Sequence, residues 1–267
     1  VPVSLQYGRQ VFNWGESTFI PGGINSALPI DVAEIRSPGS EVRDALLPIE
    51  ALYASAGLTR NLTVEGYVQF DWNKTEIDDC GTFFSTSDFV NDGCGPVFGL
   101  GGIPEAENLE NFNDAILRRQ ADNRPDANDQ FGLGLQYFAS ALGNTEFGLY
   151  FVRYHSRLPL VSGTVIDPDN GQNFPTFFVE FPEDIKLYGA SFNTTLPGGW
   201  AWSGEYSFKE DRPLQFNSFE LINGGLKNPF SKVFQQVSGG TDPNSPAATA
   251  LEGEPVSGFD RFDISQA

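Results

Sequence analysis

Methionine is absent, histidine occurs once and cysteine twice among 267 residues, and 16 lysines and arginines face 35 aspartates and glutamates. Each shortage excludes something. A surface that binds phosphates needs clustered basic side chains, so a formal net charge of -19 argues against nucleic acid. One histidine and two thiols supply too few ligands for a zinc site. No stretch reaches the roughly 18 to 20 consecutive apolar residues of a membrane helix. A membrane β-barrel escapes that test, because alternation of apolar and polar residues keeps its mean hydropathy low, here -0.25. The chain starts at Val1 with no initiator methionine and no signal-peptide core, which reads as a processed or incomplete chain.

Glycine and aromatic residues are plentiful, with 29 glycines and 13% aromatic content, and helical periodicity is scarce. An all-β protein with many turns follows. In "LTVEGYVQFDW", Leu62, Val64, Gly66, Val68, Phe70 and Trp72 share one face of a strand, and Thr63, Glu65, Tyr67, Gln69 and Asp71 share the other. "FGLGLQYFAS", "TEFGLYFVRYH" and "WAWSGEYSFK" repeat the alternation. Both a soluble sandwich and a membrane barrel use this pattern. Seven strands are expected, near 3–14, 48–57, 62–76, 130–141, 145–157, 185–195 and 200–209, and "RFDISQA" resembles the lead-in to another.

The connections separate the alternatives. "GLTRN", "LGNT" and "LPGG" are tight turns, whereas 15–47, 78–129, 159–183 and 210–267 are long, acidic and rich in Gly, Pro and Asn. In an antiparallel meander the short turns then share one rim and the long loops the other, as in an outer-membrane barrel. Structureless loops of such length are uncommon in compact soluble domains. The expected fold is therefore all-β, an antiparallel transmembrane β-barrel of porin-like form. Residues 1–267 form one barrel domain within it, as an incomplete part of a larger barrel. Trp14, Trp72, Trp200 and Trp202, with Tyr7, Tyr53 and Tyr206, are placed as interfacial girdles. Arg9, Glu65, Gln69, Asp71, Glu146, Arg153, Glu205 and Lys209 are the candidates for a pore lining.

Catalytic patterns are weak. His155 and its neighbour Ser156 point to opposite faces of a strand, and no G-x-S-x-G elbow occurs. "GLGG" at 99–102 reads as a flexible loop and "DPDNG" at 167–171 as a turn, with Asp167 and Asp169 as the alternative contributors to a calcium site in the acidic loops. Cys80 and Cys94, in a segment dense in turn formers, read as a disulfide made in an oxidising compartment.

"YGRQVFNWGESTFIPGGIN" (7–25) and the "KTEIDDCGTFFST" run from Lys74 resemble a proteobacterial family catalogued as domain of unknown function 1302, regarded as outer-membrane proteins. The likeness is specific over the first third of the chain. It implies a barrel in the bacterial outer membrane, associated with uptake or export of hydrophobic compounds beside a periplasmic partner protein. It brings no catalytic residues. The matched positions Arg9, Gln10, Asn13, Trp14, Gly15, Glu16 and Ser17 form either a functional rim or a hydrogen-bonded corner that folds the next loop inward.

The leading expectation is a channel for a small, hydrophobic solute, constricted by the loop after Trp14, with Phe83, Phe84, Phe89 and Phe98 at its mouth. Lipopolysaccharide, outer-membrane lipid and a second copy of the chain are the other expected partners. A structural or adhesive surface protein, a His155-dependent hydrolase and a soluble lipocalin-like binder are the alternatives.

Overall fold

The computed structural model describes residues 2–17, 22–98, 104, 107, 110 and 116–267. Its strands are β1 (Val3–Gln10), β2 (Ile49–Gly57), β3 (Leu62–Gln69), β4 (Val97–Phe98), β5 (Ile116–Leu117), β6 (Phe131–Ala139), β7 (Thr145–Tyr154), β8 (Leu160–Thr164), β9 (Phe177–Glu180), β10 (Ile185–Leu196), β11 (Trp200–Gln215), β12 (Pro255–Val256) and β13 (Phe259–Gln266). Eight of them form one sheet in the order β1-β2-β3-β6-β7-β10-β11-β13, with every neighbouring pair antiparallel. This is an open meander whose edges are β1 and β13, so the described residues make an all-β sheet and not a closed barrel.

Two expectations are corrected here. The main sheet has eight strands, not seven, because β13 completes the lead-in seen in "RFDISQA". The last excursion runs 216–258 instead of 210–267, since β11 continues to Gln215 and β13 returns to the sheet. The three tight turns do join β2 to β3, β6 to β7 and β10 to β11 at one rim.

The long connections are not structureless. β8, β9 and β12 form a second small sheet. Val165 and Val256 pack there with Leu221 of α1 (Ser218–Gly225) and Val233 of α2 (Lys232–Ser238). Local rules start both helices: the Asn217 side chain caps α1, the Ser231 hydroxyl caps α2, and the Glu220 carboxylate takes the Val233 amide at 3.2 Å. β4 pairs with β5 near the Cys80–Cys94 disulfide, whose S–S distance is 2.05 Å. The expected pairing of the cysteines therefore holds. Residues 99–102, read as a flexible loop, lie outside the described residues.

One face of the main sheet is apolar and exposed, and the other is covered and mixed, with Glu65 and Gln69 buried beside Val152 and Leu187. On β3, Glu65, Tyr67 and Gln69 are buried at 7%, 4% and 2% exposure, while Val68 is 48% exposed. The registry carries the exposed face across the sheet: Leu5 pairs with Ala54, Ala54 with Gly66, Gly66 with Leu133, Leu133 with Phe151, Phe151 with Tyr188 and Tyr188 with Phe208. Leu149 and Trp200 on this apolar face are 57% and 74% exposed, whereas Lys209 on the opposite face is 1% exposed. Strand alternation accounts for the segregation, and what covers the polar face accounts for the burial.

Candidate functional site

The cover is the first long connection. After β1 the chain turns back over the polar face, and Phe12, Trp14, Ile24, Ala27 and Leu28 pack into a core with Tyr67, Tyr150, Val152 and Leu187 of the strands beneath. Phe12 stacks on Tyr67 with ring centroids 4.2 Å apart, and Trp14 lies against Tyr67 at 5.0 Å and Tyr150 at 5.5 Å. Aromatic area buried in this way fixes the entry of the loop. Alternation and strand-end position predict Trp14 and Tyr53 in an interfacial girdle. Trp14 is instead buried under the loop, and the Tyr53 hydroxyl is turned inward to the Glu65 carboxylate. Trp72 is half-buried, donating from Nε1 to the Ser156 carbonyl at 3.2 Å and meeting Phe181 edge-on. Tyr7, Trp200, Trp202 and Tyr206 do stand exposed on the apolar face.

Glu205 clasps the loop. Its Oε2 accepts the amides of Glu16 at 2.8 Å and Ser17 at 3.0 Å, and its Oε1 accepts the amide of Ile24 at 3.2 Å. Backbone amides converging on one carboxylate form an anion nest, and charge-assisted bonds of this kind are stronger than neutral ones. The sequence permits it through Gly15 and Gly23, where an added Cβ would lie 2.3 Å and 1.7 Å from the Glu205 oxygens. Gly15 also holds φ at +84°, a left-handed conformation that glycine adopts without steric cost. Asn25 supports the corner by accepting the Trp14 amide at 2.9 Å and donating to Asn13 Oδ1 at 2.7 Å. Lys209 reaches from β11 to the Gly22 carbonyl on the far side. The run Asn13 to Ser17 is thus the corner that folds the loop inward.

Glu16 sits at this corner and accepts the Asn193 amide at 2.9 Å. Burial pushes its carboxyl above the ordinary carboxylate value, the Asn193 bond opposes this, and the like charges of Glu146 and Glu205 add to the rise. For an acid with a raised folded-state pKa, the favourable contribution is complete below its ordinary 4.5 and is lost as pH rises through the raised value. The loop therefore seats more firmly on acidification through that window, and Glu16→Gln removes the dependence. Protection factors of the Ile24 amide, compared between the two proteins from pH 4 to 7, check this; parallel profiles would contradict it.

The other pore-lining candidates divide. Glu65 lies on the covered face and is satisfied by Tyr53 and by Gln136 Nε2 at 2.8 Å. Gln69 is also on that face, Asp71 follows it just beyond β3, and Glu146 is exposed near the tight-turn rim. Arg9 and Arg153 are corrections. Arg9 stands in register with Glu50, on the side of Tyr7 and Leu52, and Arg153 continues the face of Leu149 and Phe151 and pairs with Asp184 at 2.7 Å. Strict alternation puts both on the apolar side, at the strand ends nearest the long loops.

Two residues that sequence reasoning passed over matter here. Arg157, 3% exposed, gives Nε to the Ala27 carbonyl at 3.0 Å, Nη1 to the Asn73 carbonyl at 3.2 Å, and Nη2 to the side chains of Gln69 and Gln130. Burial pushes its pKa down to about 10, against the opposing pull of Tyr67, Tyr154 and Asp71. Arg212 is the second. Both arginines line a cavity of about 300 Å³ at the long-loop end, walled chiefly by apolar residues such as Leu28, Leu46 and Ile185. Nothing in "HSRLP" or "KEDRP" marks either arginine as inward-facing.

His155 is buried with both ring nitrogens engaged by backbone: Nδ1 accepts the Asp184 amide at 3.2 Å and Nε2 meets the Asn128 carbonyl at 2.9 Å. The Ser156 hydroxyl bonds the Leu158 carbonyl. Asp167 caps a short turn, accepting from Asn170, and among the described residues no three His, Cys, Asp or Glu side chains converge as metal ligands. Of the loop phenylalanines, Phe83 and Phe84 are exposed, Phe84 lying under the Arg36 guanidinium, while Phe89 packs edge-on against Phe177.

Fold and site define an all-β protein whose main sheet is an antiparallel meander with its first long connection clasped to the polar face. A family model described as a protein of unknown function (DUF1302) matches residues 1–267, and the chain belongs to that family. No curated protein and no solved structure matches it.

Proposed function

We propose that the chain forms eight strands of an outer-membrane β-barrel channel for small hydrophobic compounds, with the connection between β1 and β2 as its internal constriction. The carrying observation is the exposed apolar face that runs across the main sheet. A continuous apolar face of this extent in water would be an aggregation or docking surface, whereas in lipid it is the surface a barrel requires. Polar Glu65, Gln69, Ser207 and Lys209 on the covered side fit the lumen of such a barrel. Closure is then met by pairing at the β1 and β13 edges, since an unpaired strand edge is not tolerated in the hydrocarbon layer. Lipopolysaccharide and outer-membrane lipid surround the barrel on this reading, with the long loops outside.

The test is uptake of radiolabelled 4-butylbenzyl alcohol by cells whose lipopolysaccharide leaflet limits its entry, with and without the protein. A several-fold faster uptake on expression is expected. Equal uptake, with loss of envelope integrity on deletion, would instead make the protein a structural component of the membrane.

A further inference from the structure

The cavity at the long-loop end has a chemical polarity that the channel reading does not specify. Its volume of about 300 Å³ is at the lower end of the range for small-molecule sites, roughly 300–1,000 Å³. Its walls are mostly apolar, and its charged lining groups are two arginines. In a chain of net charge -19 that is an unexpected sign.

Arg212 reaches the cavity because of a local irregularity. Lys209 pairs with Ile264 and Arg212 with Phe262, so three steps on β11 match two on β13. The extra residue is a β-bulge, with Asp211 at a φ of 61°. Regular alternation from Lys209 would turn Arg212 outward; the bulge returns it, through its pairing with Phe262, to the side of Lys209 and Ile264, and Arg212 lines the cavity together with Pro213. No hydrogen bond or ion pair among the described residues engages its guanidinium. Arg157, also in the lining, uses four of its five N–H groups on the carbonyls described above, leaving one on Nη1. The hydroxyls of Ser26 and Ser156 also line the cavity.

We infer that this cavity binds an amphipathic carboxylate, its acid group held by the Arg212 guanidinium beside Arg157 and its aliphatic or monoaromatic body packed on Leu28, Leu46 and Ile185. The inference deepens the channel reading by naming the solute class, and rests on that reading only for the solute's passage. A planar guanidinium matches a carboxylate with two parallel hydrogen bonds, which neither an alcohol nor an ammonium can reproduce.

The experiment is equilibrium dialysis of the detergent-purified full chain against 4-butylbenzoate, 4-butylbenzyl alcohol and 4-butylbenzylammonium. The benzoate is expected to bind at least about tenfold more tightly than the alcohol, with the ammonium weakest. Arg212→Gln should abolish the benzoate preference and leave alcohol binding in place. Equal binding of benzoate and alcohol, or an unchanged preference in R212Q, overturns the inference. If R212Q binds neither, Arg212→Lys decides: a benzoate preference weaker than that of the unsubstituted protein supports the site, and an undiminished one overturns it. The readout is independent of flux. A protein that speeds alcohol uptake without preferring benzoate keeps the channel and loses this site, and one that prefers benzoate while conducting nothing does the reverse.

Discussion

Glu205→Ala releases the loop between β1 and β2 from the sheet. Three backbone amides, those of Glu16, Ser17 and Ile24, lose their shared carboxylate together. A hydrogen bond to a charged group contributes roughly 1.5–3 kcal/mol net, and the three share one half-buried ion, so about 3 kcal/mol of attachment is lost. That corresponds to roughly a hundredfold faster exchange at these amides, at about 1.4 kcal/mol per tenfold. Glu205→Gln keeps one acceptor oxygen but turns an NH₂ toward donors, so it falls between wild type and alanine. Hydrogen exchange resolved at Ile24 measures the effect. Unaltered exchange there would show that Phe12 and Trp14 alone hold the loop. On the channel reading, E205A also raises uptake of the uncharged solute, because the constriction no longer stays seated.

Leu149→Arg produces the second large effect and reads the environment of the apolar face. Leu149 lies in mid-sheet, in register with Leu135 on one side and Ala190 on the other, and is more than half exposed. In a bilayer an arginine at mid-depth on the lipid face costs about 2–4 kcal/mol. The same substitution on a water-facing sheet usually stays within about 0.5 kcal/mol. Equilibrium unfolding in urea from phospholipid vesicles distinguishes the two. A midpoint that does not move would place this face in water and remove the main support for a membrane barrel.

The corner at Gly15 shows where sequence reasoning reached the structure and where it stopped. A strand end rich in amides and charge, running into glycine, predicts a hydrogen-bonded turn because few other residues allow the conformation. That its amides meet Glu205, 189 residues downstream of Glu16, depends on a pairing across the sheet that no local pattern encodes. Arg9 and Arg153 belong to the apolar side by alternation alone, in step with Tyr7 and Phe151, although their charge suggests a lumen. Arg212 is the opposite case, since alternation by itself would turn it away from the cavity and the bulge reverses it.

Composition and period determined by themselves that this is an all-β protein of antiparallel strands, with tight turns at one rim and long connections at the other, and they placed the disulfide. Side-chain alternation of period two and the chemistry of turns are local, and survive in one dimension. Only the tertiary structure decided which face is covered, because burial depends on where a distant segment docks. The covered faces of β3, β7, β10 and β11 are interior only because Phe12, Trp14 and Ile24 pack on them and Glu205 holds the loop in place. The apolar faces stay exposed for the same reason.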